Sequence, residues 1–408
     1  IAVSWGFCRR HAWGVAARTD LGGPLGLAII YESLAGRLLA QYEAERREGY
    51  RAPSRASVSS LGLDEVRPGQ SCVYCAAQTE VERNYIISFA KYCAHRQFVA
   101  RYERSDGLCL QHLKQALAAA RPSVRIWLLE TALAKLSKSL GSSINPADIG
   151  WGADDPLGAM RPRLYLLAGA YPFYPHSRDY HRYARALGIR GDAHKERYAS
   201  SCPLCVAERQ VERERLEGFL QPDSNPPSSV AWLCPTHAWQ LQALAAERRS
   251  IETYVAWSNG LICAAISALA DLLAAERARL QKRGLLSWLA PIPPALPFPQ
   301  WECAICGAKA QAGALAAADA VPAIQSRVTS AGAALDPRVC FQHFPGLVAI
   351  APPDLASSLR AGQAARLRAL RSELEIYIHK VHWNYKGEPW GLERDSWRRA
   401  VDLFVGAE

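Results

Sequence analysis

The sequence has little of the apolar-polar alternation that builds a half-buried strand. Helix formers such as Ala, Leu, Arg and Glu dominate instead, so the fold class expected is all-α. No nucleophile-base pattern, phosphate loop or paired-carboxylate motif stands out, which argues against an enzyme. The start carries no charged, then apolar, then small-residue leader. The expectation is a cytoplasmic chain whose native start lies upstream of Ile1.

Uncharged runs are short and broken. Residues 253–270 and 284–301 each lack charge for 18 positions, which makes both marginal membrane-span candidates by length. The first contains Thr253, Asn259, Ser258 and Ser267. The second contains Pro291, Pro293, Pro294, Pro297 and Pro299, which a spanning helix does not absorb; an extended linker is expected there. Neither is expected to cross a membrane.

Cysteine, by contrast, is plentiful and ordered. Ten of the twelve cysteines fall in short-spaced pairs. Three are Cys-x-x-Cys: Cys72/Cys75, Cys202/Cys205 and Cys303/Cys306. Four are Cys-x-x-His: Cys8/His11, Cys109/His112, Cys234/His237 and Cys340/His343. Each Cys-x-x-Cys is followed 34, 29 and 34 residues later by a Cys-x-x-His. Chain order therefore predicts three Cys3His sets: Cys72/Cys75 with Cys109/His112, Cys202/Cys205 with Cys234/His237, and Cys303/Cys306 with Cys340/His343. Zinc takes four tetrahedral ligands of this kind, and a structural site fills every position with protein. Residues at i and i+3 share the face of a helix start, so one pair presents two ligands to one ion.

Other chemistries fit less well. Disulfides suit small secreted chains and give no role to histidines at fixed offsets. Covalent haem needs a histidine directly after the second cysteine, where Ala76, Val206 and Gly307 stand. A dithiol redox centre explains one Cys-x-x-Cys but not its downstream partner, and an iron-sulfur cluster is a rarer user of such ligands. Cys93 and Cys263, outside the pattern, are expected in the core.

The sequence also repeats itself. Val3-Ser-Trp-Gly-Phe-Cys-Arg-Arg-His-Ala-Trp13 matches Val230-Ala-Trp-Leu-Cys-Pro-Thr-His-Ala-Trp239 with one residue fewer. Trp151-Gly-Ala-Asp-Asp155 followed by Leu166-Leu-Ala-Gly-Ala170 matches Trp390-Gly-Leu-Glu-Arg-Asp395 followed by Leu403-Phe-Val-Gly-Ala407. His11 to His112 spans 101 residues and His237 to His343 spans 106. These offsets predict a tandem duplication of a two-module, zinc-pinned helical unit: residues 1–170 as one copy, 171–201 as a linker and 202–408 as the second. Of the four modules the first lacks its Cys-x-x-Cys, so a fourth site at Cys8/His11 is expected to be completed by residues upstream of Ile1.

Cys202-Pro-Leu-Cys205, Gly6-Phe-Cys-Arg-Arg-His-Ala-Trp13 and Gly107-Leu-Cys-Leu-Gln-His112 resemble a bacterial family known only as a domain of unknown function. The stretch from Lys386 to Ala400 resembles that family's C-terminal signature. The resemblance implies a metal site and a fold type, and no activity. Cys-Val-Tyr-Cys and Cys-Ala-Ile-Cys depart from its Cys-Pro-x-Cys.

The net charge is +10, and three zinc ions each held by three thiolates and a neutral histidine lower it to about +7. Residues 1–200 hold 27 Lys and Arg against 18 acids, whereas residues 201–408 hold 21 against 20. Arg161, Arg163, Arg178, Arg182 and Arg185 interleave with Tyr165, Tyr174, Tyr180 and Tyr183, a mix that neutralises phosphates and stacks on unpaired bases. The expected function is a non-catalytic, zinc-stabilised adaptor for a macromolecule, with RNA or DNA ahead of a protein-scaffold role or a redox-sensing zinc-thiolate switch. His379 and His382 are expected to cap the last bundle.

Overall fold

A computed structural model describes residues 6–16, 23–47, 72–141, 161–169, 202–221, 232–248, 250–281, 298, 302–331, 338–382, 385 and 387–406. Among them there is no strand, only an isolated bridge between Trp232 and Cys303. The helices are α1 (Arg9–Ala16), α2 (Gly23–Arg47), α3 (Val73–Tyr92), α4 (Arg96–Arg104), α5 (Leu110–Ala119), α6 (Pro122–Gly141) and α7 (Arg161–Ala168). They continue with α8 (Pro203–Phe219), α9 (Pro235–Arg248), α10 (Ile251–Gln281), α11 (Ala304–Ala331), α12 (Phe344–Ile350), α13 (Pro353–Val381) and α14 (Ser396–Val405). Proline stands first in α6, α8, α9 and α13, where its missing N–H costs the helix nothing.

The chain forms two compact units, and they are not the two sequence halves. One comprises Ile1–Gln78, His176–Val211 and Lys309–Glu408; the other comprises Thr79–Pro175 and Glu212–Ala308. Each unit therefore takes residues from both sides of the expected linker at 171–201, and that linker lies outside the described residues.

In the first unit α2 packs along α13. Leu27, Tyr31, Leu34, Leu38 and Tyr42 recur every three or four residues and form one buried stripe of α2. Leu359, Leu367, Leu370 and Leu374 of α13 belong to the same core. At the edge of this seam Arg371 Nε donates to Glu32 Oε1 at 2.8 Å. Helix α14 closes the unit, with Phe404 against Tyr31 at 5.0 Å between ring centres. The Trp13 indole donates to the Gly406 carbonyl at 2.9 Å, tying the start of this unit's chain to its last helix.

The second unit repeats the plan with α10 against α6. The uncharged run at 253–270 lies within α10, a helix long and apolar enough to cross a membrane. Here Tyr254, Trp257, Leu261, Ile262, Ala265 and Leu269 of that helix are buried in the same core as Leu128, Leu129 and Leu136 of α6. A buried ion pair, Arg125 to Glu276 at 3.4 Å, spans this interface. Cys93 is buried as expected. Cys263 is exposed, because Leu261, Ile262 and Ala265 turn the core face of α10 away from it. The Trp239 indole donates to the Gly169 carbonyl at 3.2 Å, the counterpart of Trp13 and Gly406.

Near the C-terminus, His379 and Lys380 lie in the last turn of α13, with His382 as its cap. The His379 ring lies over Tyr385 at 3.8 Å between centres, and Lys380 donates to Glu393 and to the Pro389 carbonyl, each at 2.7 Å.

Candidate metal centres

All seven short-spaced pairs adopt one local geometry. The carbonyl of the first cysteine accepts the N–H four residues on: Ala12 from Cys8, Ala76 from Cys72, Leu113 from Cys109, Val206 from Cys202, Ala238 from Cys234, Gly307 from Cys303 and Phe344 from Cys340, all within 3.2 Å. Each pair thus leads into a helix, six of them at its first turn and Cys340/His343 in the turn just before α12. The free N–H groups and positive dipole end of that turn favour thiolate over thiol.

Twelve of these side chains gather into three Cys3His clusters, and within each the four ligand atoms lie within 4.8 Å of one another. They are Cys8/His11 with Cys72/Cys75, Cys202/Cys205 with Cys340/His343, and Cys234/His237 with Cys303/Cys306. This corrects the pairing expected from chain order. Cys72/Cys75 joins the Cys-x-x-His before it, so Cys8/His11 is complete within this sequence. The second half of the chain is nested, its outer pairs meeting each other and its inner pairs likewise. The physical reason is the helix that follows each Cys-x-x-Cys. Glu212, seven residues beyond Cys205, meets His237 Nε2 at 2.8 Å. Seven residues of helix advance about 10 Å, so the next Cys-x-x-His lies too far along α8 to share an ion with Cys205. Cys109/His112 lies in no cluster among the described residues.

The dimensions are those of a single ion. A tetrahedron with ordinary zinc bond lengths has edges of about 3.8 Å between sulfurs and about 3.5 Å from sulfur to nitrogen. Here Cys8–Cys75, Cys205–Cys340 and Cys234–Cys306 are 3.7, 3.6 and 3.8 Å apart. Sulfur to His Nδ1 distances run 3.2–3.4 Å at His11, 3.2–3.5 Å at His343 and 3.1–3.5 Å at His237. All twelve cysteines are free, and these sulfurs stand far outside the ~2.05 Å of a disulfide.

Nδ1 faces the sulfurs in each cluster, which leaves Nε2–H to donate outward. At His343 the acceptor is Glu208 and at His237 it is Glu212, both at 2.8 Å. A carboxylate behind a ligating imidazole fixes its tautomer and strengthens it as a donor to metal. Sequence reading missed these carboxylates, although the spacing Cys205/Glu212 recurs as Cys75/Glu82. Arg9 supports a neighbouring cluster, with Nη2 donating to Cys205 Sγ at 3.0 Å.

Without a cation such a cluster is frustrated. Burial, then the charges of Cys8 and Cys72, push Cys75 up to about 12. Cys340 is likewise raised, holding its proton in hydrogen bonds to Cys202 and Cys205. Three sulfurs this close do not all ionise unless a positive charge sits among them.

Gly406 is fitted to its cluster. Its φ is +77°, and a Cβ there would lie 2.6 Å from Cys205 Sγ and 3.2 Å from Cys340 Sγ. Gly406→Ala is expected to strain the backbone and displace a ligand, lowering Tm and weakening one metal equivalent. Gly346→Ala, where a Cβ meets nothing within 4 Å, is the control. Equal thermal melts and metal retention for the two would refute the fit.

Of the expected nucleic-acid contacts, Arg178, Arg182, Arg185, Tyr174, Tyr180 and Tyr183 lie outside the described residues. Two other members of that basic, aromatic stretch are engaged in the fold. Arg163 is buried and donates to Asn259 Oδ1 at 2.7 Å, and Tyr165 packs edge-on to Trp239 at 5.5 Å. Compared with protein-family models, curated proteins and solved structures, the chain matches none.

Proposed function

We propose that this chain is a non-catalytic adaptor pinned by structural zinc, and that it binds RNA or DNA. The carrying observation is the closure of the clusters. Four protein ligands occupy the four tetrahedral positions in each, so no position is left for a reacting water or substrate. Ligand atoms within 4.8 Å of one another also suit one ion better than an iron-sulfur cluster, whose cysteines are spread around a polynuclear core.

The partner is favoured by charge. The corner from α3 to α4 exposes Lys91, Arg96 and the ring of Tyr92, and the last turn of α4 exposes Arg101 and Arg104. Guanidinium and ammonium groups release counterions from phosphates, and an exposed ring stacks on an unpaired base. Filter binding to single-stranded RNA is expected to give an affinity that falls steeply as salt rises, and that Arg101→Glu with Arg104→Glu reduces at least tenfold. Weak binding at low salt, or an affinity indifferent to salt, would overturn the nucleic-acid assignment.

A redox role has one observation in its favour: Cys306 is exposed, unlike the sulfurs of the Cys202/Cys205/Cys340 cluster. If the Cys234/His237/Cys303/Cys306 cluster is a switch, mild oxidant releases its metal first and changes partner binding in step.

A further inference from the structure

Cys109 and His112 keep several local features of a completed centre. Cys109 is buried, and its Sγ lies 3.4 Å from His112 Nδ1. The other ring nitrogen, Nε2, points at Glu82, 4.0 Å away. Glu82 stands seven residues after Cys75, as Glu212 stands seven after Cys205 in its role behind His237.

The surroundings match one cluster in particular. Gly169 has φ +79° and a Cβ there would lie 3.1 Å from Cys109 Sγ; Gly406 has φ +77° with a Cβ 3.2 Å from Cys340 Sγ. Each of these glycines accepts an indole hydrogen bond, from Trp239 and Trp13 respectively. Positive φ also recurs two residues before the cysteine, at Gly107 (φ +91°) and at Arg338 (φ +39°). Cys109/His112 thus occupies the place that Cys340/His343 occupies in the other unit. What it lacks is the counterpart of Cys202/Cys205.

No cysteine pair of this sequence is free to supply it, because all three Cys-x-x-Cys pairs serve the complete clusters. Glu82 is no substitute, since it faces the nitrogen turned away from Cys109. The His112 side chain is 39% exposed against 13% for His343 and 4% for His237, so it is the least covered imidazole of the three. Beside Glu82 on α3, Val81 and Tyr85 are 51% and 73% exposed, two apolar side chains one helical turn apart.

We propose that Cys109 and His112 are half of a fourth metal site, completed in the functional assembly by the two thiolates of a Cys-x-x-Cys helix start on polypeptide outside this sequence. The incoming helix covers Val81 and Tyr85 as its cysteines close the tetrahedron. The proposal rests on metal filling the three complete clusters, and that premise is read separately in the same experiment.

The probe is Co2+, with a synthetic peptide spanning residues 200–220 of this chain as the Cys-x-x-Cys helix. The full chain alone is expected to bind three tight equivalents. Adding peptide brings a fourth, with the absorption of tetrahedral three-sulfur, one-nitrogen cobalt, and the peptide co-elutes with the chain. Peptide with both cysteines changed to serine adds none. Cys109→Ser and His112→Ala abolish the fourth equivalent and keep the other three, which shows that the variants are folded. A fourth equivalent that never appears, or that survives in these variants, overturns the proposal. An extra half equivalent per chain bound without peptide, with the chain's mass doubled, overturns it in favour of a second copy. Fewer than three equivalents on the chain alone would instead sink the metal assignment on which it stands.

Discussion

Stripping the metal with a tight chelator is expected to unfold both units. A structural zinc site of this kind contributes on the order of 10 kcal/mol apparent, whereas a whole domain is stable by about 5–15 kcal/mol. The unit containing the Cys8/His11/Cys72/Cys75 and Cys202/Cys205/Cys340/His343 clusters would draw on two such contributions once metal is bound. The other unit has one complete site. Far-ultraviolet circular dichroism should lose most of its helical signal as metal leaves, and readdition of zinc should restore it. A chelated chain that keeps its helix content and melts within a few degrees of the loaded one would show that the clusters are ornaments on a self-sufficient core.

The interleaved pairing makes a second, equally large prediction in whole numbers of bound metal. Cys8→Ser and Cys75→Ser act on one cluster, so each single variant should hold two equivalents in place of three, and the double variant should still hold two. Cys205→Ser with Cys340→Ser should behave the same way. Cys205→Ser with Cys234→Ser should fall to one, because those residues serve different ions. Pairing by chain order predicts the reverse for this last combination. Elemental analysis of the purified variants decides, and the non-additivity of the first two doubles is the signature of a shared ion.

The ligands were legible in the sequence because their chemistry is local. A Cys-x-x-Cys or Cys-x-x-His at a helix start presents two donors whatever the rest of the chain does. Helix was legible for a similar reason: the three-to-four spacing of Leu27, Tyr31, Leu34 and Leu38 needs no partner to be recognised. Which pair meets which was not legible, because it depends on where long helices deliver the next module. The same limit explains Glu208 and Glu212, ordinary surface-type residues until a histidine from elsewhere in the chain lands beside them. It also explains the units: the match between Trp13 and Trp239 shows two related segments, but not that Trp13 bonds to Gly406 while Trp239 bonds to Gly169.

The nesting of the units has a consequence for how the chain is born. Every segment of the Thr79–Pro175 and Glu212–Ala308 unit is synthesised before Lys309 is added, so that unit has all its parts before the other does. The other must hold α2 unpartnered until α13 arrives more than 300 residues later, with Tyr31 and Leu34 waiting for their neighbours. Nascent chains that wait with apolar helices bare are prone to aggregate and to engage chaperones. Early capture of a metal ion by Cys8, His11, Cys72 and Cys75, a cluster contained within residues 8–75, would give that waiting segment a fixed point around which the late helices assemble.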